Sequence, residues 1–245
     1  MASVTQHYAD HLGPIYEWMI GGFDAAAEAA RADLRAANIA GSPGRVAVDL
    51  GAGLGAHAIA LAEAGFRVVA IDTCGPLLEE LTARTRRGLE ITCVHDDLQL
   101  LPRYAAGPVD VIACMGDTLT HLASPDAVRR LLQTIAETLA PGGIFLSTFR
   151  DYSARPPEGR CRVIPVRQDD DRILTCVVEY HATTITVHDL VHERTAAGWS
   201  LRVSSYPKLR LRPSWVRSAL RRTGLPVTAE TTPQGMVQLT ARRPA

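Results

Sequence analysis

The chain has 245 residues, 47% of them hydrophobic and 21% charged, with 26 Lys+Arg set against 26 Asp+Glu. That length buries one sizeable core, as a single large domain or as one domain carrying an insertion, and two independent domains would be cramped. Zero formal charge argues against a polyanion as main partner, because nucleic-acid affinity rests on neutralising phosphates with a basic excess.

No stretch approaches the ~18–20 uninterrupted apolar residues of a membrane span. The N-terminal MASVTQHYADHLG has neither a basic nor an apolar signal region, which predicts a cytoplasmic protein. Five cysteines, Cys74, Cys93, Cys114, Cys161 and Cys176, are odd in number and scattered without a C-x-x-C pair. They suggest neither a disulfide framework nor a zinc site. Lys208 is the only lysine, and together with the abundant alanine this reads as coding bias.

In chain order, Phe23–Ala37 repeats small apolar residues at helical spacing and predicts an amphipathic helix, broken at Gly41–Gly44. Val46–Leu50 is a short apolar run of the kind found in a parallel strand buried on both faces. Glycines follow, then a helix over Ala56–Ala64 closed by Gly65, and a second buried strand over Phe66–Ile71. The alternation continues with a helix near Pro76–Arg87, strands at Leu89–His95 and Val109–Met115, a helix at Ser124–Leu139 and a strand at Ile144–Phe149. This order implies a parallel sheet covered on both faces and joined by right-handed crossovers. Beyond Tyr152, segments Arg160–Val166, Ile173–His181, Thr184–His192 and Trp199–Leu211 are rich in Val, Ile, Thr and Tyr, separated by turn-like DDD and AAG, and predict antiparallel strands. A helix over Pro213–Thr223 and two strands, Val227–Glu230 and Met236–Ala241, joined by a turn at Pro233–Gly235, complete the chain. The predicted fold is α/β: a doubly wound, mostly parallel seven-stranded sheet with an antiparallel β extension over the active site. We expect a single domain, with residues 1–40 as a helical lid, 41–152 as a ligand-binding core, 153–212 as the extension and 213–245 as the closing helix and strands.

Residues 46–74 carry the most information. A buried strand leads into the turn Gly51-Ala52-Gly53-Leu54-Gly55, a helix and a second strand ending in Asp72. Glycines let the chain turn tightly against a ligand, and amide groups at the helix start favour its polar or anionic parts. Asp72 lies about 20 positions beyond Gly51, the distance at which an acidic residue meets ribose hydroxyls in a nucleoside-binding fold. Gly51, Gly53 and Ala56 also satisfy the G-x-G-x-x-A dinucleotide pattern. Asp49, two residues before the first glycine, would repel a pyrophosphate but would hold the ammonium of a methionine moiety. That favours S-adenosylmethionine over NAD.

Residues 46–149 resemble a class I S-adenosylmethionine-dependent methyltransferase. DLGAGLG resembles the family's first motif, implying cofactor contacts at Asp49, Gly51, Ala52 and Gly53, and AIDTC its ribose-binding motif, implying Asp72 and Thr73. VHDDLQLLP resembles the third loop, with Asp97 and Leu98 at the adenine and Asp96 as fallback. VDVIACMGDTLTHL resembles the fourth, whose strand-end backbone, here Cys114 and Met115, receives the methionine part. CMGDTLTHL, FRDY and SYP (Ser205–Pro207) are similar to the glycine N-methyltransferase branch, with Asp117 where that branch usually has Asn. The resemblance implies methyl transfer to a small molecule and S-adenosylmethionine as cofactor.

Arg150 ends a strand at the carboxyl edge of the sheet, where ligands of open α/β folds bind. Its planar donors suit a substrate carboxylate, the role of the matching arginine in the resembling branch; pairing with Asp151 is the alternative. His121 would accept a proton or bond the substrate, or else brace the loop. Asp117 would attract an ammonium substrate, or cap the next turn. Tyr8 and Tyr16 lie in a polar, aromatic segment which in related enzymes folds over the cofactor, and Tyr206 would present its hydroxyl from the extension. His181, His188 and His192 lack a third partner at metal spacing and read as solvated strand residues, so no metal is expected. The arginine-rich 208–222 stretch reads as a solvated helix face, so no nucleic acid or membrane is expected; a homodimer is kept open. A nitrogen acceptor on a carboxylate-bearing amine is favoured. An O- or C-methyltransferase, an NAD-linked oxidoreductase and a non-catalytic cofactor-binding protein are the alternatives.

Overall fold

A computed structural model describes residues 2–105, 107–153, 159–231 and 235–245, with the side chains of 228–231 left aside. The chain opens with short helical turns: α1 (Val4–His7), a π-turn at Tyr8–Leu12, a tight turn at Gly13–Ile15 and α2 (Tyr16–Ile20). A side chain at Gly13 would meet the Tyr8 carbonyl oxygen at 2.6 Å, so glycine is required where the π-turn closes. Helix α3 (Phe23–Ala36) follows and buries Ala27, Ala30 and Leu34, one stripe at helical spacing.

The central sheet holds β1 (Val46–Leu50), β2 (Arg67–Asp72), β3 (Ile91–His95), β4 (Val109–Cys114), β5 (Leu139–Arg150), β10 (Val227–Thr231) and β11 (Met236–Arg242) in the order β10-β11-β5-β4-β1-β2-β3. The pairs among β1 to β5 are parallel, and β11 runs antiparallel to β5 and β10. Between them run α4 (Ala56–Glu63), α5 (Gly75–Arg84), α6 (Leu101–Tyr104) and α7 (Pro125–Thr138), with α8 (Pro213–Arg222) ahead of β10. One face of the sheet packs on α3, α4 and α5 through Leu34, Ala58, Leu61 and Leu81, and the other on α7 and α8 through Leu131, Leu132, Val216 and Leu220. Helix α7 shows how locally this is specified: the Ser124 hydroxyl accepts from the Ala127 N–H, Pro125 occupies the first turn, and Val128, Leu131, Leu132 and Ile135 make the buried stripe.

The second sheet is antiparallel, β6-β7-β8-β9 (Cys161–Gln168, Arg172–Tyr180, Thr184–Thr195, Gly198–Leu209). Its inner face carries Leu174, Val178, Ile185, Val187, Val191 and Tyr206, and the N-terminal turns pack there through Val4, Tyr8, Leu12 and Ile15. Trp18 donates to Asp169 and lies beneath the Arg167 and Arg172 guanidiniums. The doubly wound sheet and antiparallel extension expected from the alternation are thus present. Most boundaries move by one to three residues, and one moves further. Strand β5 begins at Leu139 rather than Ile144, with a register shift against β4 between Val109 and Val111. The turn assigned to Pro233–Gly235 falls mostly outside the described residues. No described helix is long and apolar enough to cross a membrane.

Candidate active site

The order of strands reverses between β1 and β4, and a cavity opens beyond the carboxyl ends of β1, β2 and β4, where open α/β sheets place their ligands. Gly51, Gly53, Asp72, Thr73, Asp97, Leu98 and Met115 line it from the sheet, and Tyr8, Tyr16 and Thr5 from the N-terminal turns. His121 completes the wall from the loop after β4.

The glycine turn owes its shape to backbone freedom. Gly51 sits at φ +75°, and any side chain there would approach the Thr118 side chain to 2.6 Å. Its N–H donates to the Ile71 carbonyl. The Gly53 N–H donates to Asp72 Oδ2 at 2.7 Å, and the Cys74 N–H to Asp72 Oδ1 at 2.8 Å. Burial pushes the Asp72 carboxyl up, while the Cys74, Gly53 and Thr73 backbone groups favour its charged form. A carboxylate has about four acceptor positions, so Asp72 keeps capacity for hydroxyl donors in the cavity it lines.

Asp49, the penultimate residue of β1, is 2% exposed and, two residues ahead of Gly51 in the cavity wall, does not itself line the cavity. Its Oδ2 has no hydrogen-bond partner, and burial raises its carboxyl to about 6. A buried, unpartnered carboxylate oxygen is costly. Beside a glycine turn built for close approach, it is the group that a ligand ammonium would satisfy, and so the residues present fit S-adenosylmethionine. Ala52 and Cys114, also expected at the cofactor, do not line the cavity: Ala52 packs against the core and Cys114 is wholly buried.

Opposite the glycine turn, Tyr8, Tyr206, His7 and His121 form an aromatic group. The His7 ring lies on Tyr206 at 4.1 Å, and Tyr8 and His121 approach at 5.5 Å. His7 is fixed by Asp189 Oδ2 at 3.0 Å and the Ser204 hydroxyl at 2.8 Å, and His11 by the Asp189 carbonyl, so β8 and β9 hold the N-terminal turns. Burial, aided by Lys208, lowers His121 to about 3; its Nε2 has no partner. Burial raises Tyr8, and raises Tyr16 to about 12.

Three expectations for the substrate side meet a different arrangement. Asp117, at φ +79°, accepts from the Arg150 backbone N–H at 3.0 Å, the Tyr152 hydroxyl at 3.2 Å and Lys208 Nζ at 2.6 Å. Burial opposes its charge, but the Lys208 ammonium and these donors hold the carboxyl below its ordinary range. It is therefore committed internally rather than open to a substrate ammonium. The side chain of Arg150 is exposed and does not line the cavity; its backbone is what anchors Asp117. Tyr206 is 3% exposed and stands behind Tyr8 and His121. The residue missed is Lys208, whose one signal was its singularity among 26 basic residues. Among the described residues no group of three or more His, Cys, Asp or Glu side chains is gathered that could hold a metal ion.

Comparison with known proteins agrees with this geometry. Residues 47–143 match the family described as methyltransferase domain. A glycine/sarcosine N-methyltransferase of Aphanothece halophytica is 31% identical over 113 residues, 46% of this chain and 43% of that protein. A cypemycin N-terminal methyltransferase of a Streptomyces species is 33% identical over 158 residues, 58% and 63% of the two chains. The matches thus span roughly half the length of these relatives. The crystal structure of an S-adenosylmethionine-dependent methyltransferase from Clostridium acetobutylicum ATCC 824 superposes with a TM-score of 0.76 at 13% identity, covering 95% of this chain and 98% of the other. Residues 47–143 are therefore a methyltransferase domain on the class I S-adenosylmethionine-dependent methyltransferase fold, with glycine N-methyltransferase-like sequences among its relatives.

Proposed function

We propose that the protein transfers a methyl group from S-adenosylmethionine to a small molecule, at the nitrogen of a carboxylate-bearing amine or amino-acid-like metabolite. The observation that carries this is the unpartnered Asp49 carboxylate oxygen, set behind the Gly51–Gly53 turn with Asp72 across it. The curated relatives, named for N-methylation of glycine, sarcosine and a peptide N-terminus, support a nitrogen acceptor.

When bound, S-adenosylmethionine supplies an electrophilic methyl group: the acceptor's lone pair forms the new bond to carbon as the carbon–sulfur bond breaks with its electrons to sulfur. The chain's own part is to position and dehydrate. Asp49 holds the ammonium of the methionine end, Asp72 the ribose, and Asp97 and Leu98 the adenine. Tyr8 and Tyr16, pinned by the extension, shut out water. His121, neutral throughout the physiological range, offers an imidazole nitrogen to the acceptor or to the proton it sheds. Arg150, whose exposed side chain does not line the cavity, is the cation proposed for the acceptor's carboxylate, reached by a turn of that side chain toward the site.

The test is calorimetry with S-adenosylhomocysteine and with NAD, followed by turnover on glycine, sarcosine, a short peptide with a free α-amine and a phenol. Uptake of S-adenosylhomocysteine but not NAD, with methylation of an amine, is expected. Methylation of the phenol alone replaces the nitrogen acceptor, and binding without any turnover leaves a non-catalytic cofactor-binding protein. In R150A, KM for a carboxylate-bearing amine rises about tenfold with kcat little changed; an unchanged KM removes Arg150 from the site.

A further inference from the structure

Strand residues alternate between the two faces of a sheet. In the antiparallel sheet the buried cross-strand partners Val178, Val187 and Tyr206 mark the inner face, on which the N-terminal turns pack. The alternate positions point outward. There Val163 on β6, Val177 on β7, Leu190 on β8 and Trp199, Leu201 and Val203 on β9 form one apolar surface, joined by the register pairs Val163–Val177 and Leu190–Val203. Val163 is 65% exposed, Trp199 48%, Leu201 52% and Val203 55%. Single exposed apolar residues are ordinary on a protein surface, but a contiguous patch of them marks a surface that meets something.

Four strands about 4.8 Å apart and seven residues rising about 3.3 Å each make a face of roughly 19 by 23 Å. With side chains standing on it, that approaches the ~800 Å² which each partner of a stable interface buries. The charges of this face sit at its ends. Among the outward positions that the register assigns, Glu179 and Arg194 carry them: Glu179 pairs with Thr186 near the start of β8, and Arg194 is the penultimate residue of that strand. The rim repeats the separation on the β6 side with the signs reversed. Asp170 and Asp171, exposed in the β6–β7 turn, lie at the Arg194 end, where the Arg194 N–H donates to the Asp171 carbonyl; Arg160, at the start of β6, lies at the Glu179 end, where its carbonyl accepts from Tyr180. A second copy turned end for end across a two-fold axis therefore sets Arg194 against Glu179 of the partner subunit and the Asp170–Asp171 turn against Arg160 of the partner subunit, and lays the apolar rows between them together. A two-fold axis along the strands would instead oppose like charges.

We propose that this outer face is the interface of a homodimer, in which two copies stack their antiparallel sheets face to face, about 10 Å apart, in the end-for-end order. On their inner side the same strands hold the N-terminal turns, through Asp189 on β8 and Ser204 on β9, so the interface backs the elements that cover the cavity.

Sedimentation velocity of the full chain over a concentration series, without ligand, reads the association. The native protein is expected as a concentration-dependent dimer, and L201E as a monomer with the native melting temperature. R194E opposes like charges at both ends and weakens the dimer about tenfold, while E179R/R194E, which exchanges the two signs, restores it. A native protein that stays monomeric throughout the series overturns the proposal and leaves the face to a different chain. A dimer that L201E leaves intact overturns it as well, because the contact then lies elsewhere, and a charge exchange that recovers nothing overturns the end-for-end order. Where L201E does not fold, loss in R194E and recovery in E179R/R194E decide. All of these outcomes are independent of the methyl-transfer reading, which ligand binding tests separately.

Discussion

At the scale of single residues, three buried charges divide the work of the site. Asp49 is kept at a cost. Burial raises its carboxyl from 3.8 to about 6, so the folded ligand-free protein holds that proton more tightly than the unfolded chain does. The penalty on the charged form is absent below pH 4, accumulates to pH 6 and is full above it, at roughly 3 kcal/mol. D49N should therefore unfold at higher denaturant near pH 8 than the native protein while binding S-adenosylhomocysteine more weakly, and equal stability would contradict the assigned burial cost. In the native protein, ligand affinity should fall as pH drops below about 6, because protonated Asp49 no longer attracts the ammonium; D49N should lack that limb. Asp117 and Lys208 are a pair whose halves depend on each other. Truncation to K208A leaves a buried carboxylate unpaired and should cost about 3–5 kcal/mol in chemical denaturation, much of it recovered in D117N/K208M. Equal losses in the single and double variants would show that packing, not charge, is what Lys208 supplies.

At the scale of elements, the N-terminal turns belong energetically to the antiparallel sheet. They are tied to it by His7 and His11 on Asp189, by Leu12 and Ile15 on Leu174 and Val191, and by Trp18 under two guanidiniums. W18A should speed amide exchange over residues 4–20 and raise the off-rate of S-adenosylhomocysteine several-fold while the central strands stay protected; uniform loss of protection would mean that Trp18 supports the whole fold rather than this cover. Such ties also explain what was legible in the sequence. Buried strands and amphipathic helices write their periods locally, so β1, β2, β4, α7 and the four strands of the extension fall where the pattern puts them. The glycine turn with Asp49 and Asp72 is likewise within one unit of strand, turn, helix and strand. The pairs Asp117–Lys208 and His7–Asp189 join positions 91 and 182 apart, and nothing in either neighbourhood announces the other. For that reason Asp117 looked open to a substrate, and Arg150 looked directed inward, when its backbone does the anchoring. The early start of β5 had a similar cause: Pro141, Gly142 and Gly143 signal a turn, yet pairing to Val109 across the register shift carries the strand back to Leu139.

At the scale of the whole molecule, the cavity lies where the central sheet and the N-terminal turns meet, so a ligand bound in it should stabilise the folded chain as a unit. At 100 times Kd, S-adenosylhomocysteine contributes about 2.7 kcal/mol, which for a chain of this length is a rise in Tm of roughly 5–10 °C. Thermal denaturation with NAD at the same concentration should show no rise. Calorimetric titration of S-adenosylhomocysteine into the native protein and into D49N tests the assignment of the glycine turn most directly. One ligand per chain, bound at least tenfold more weakly by D49N, is the expected result; no uptake by the native protein, or equal affinity in the two, would contradict it.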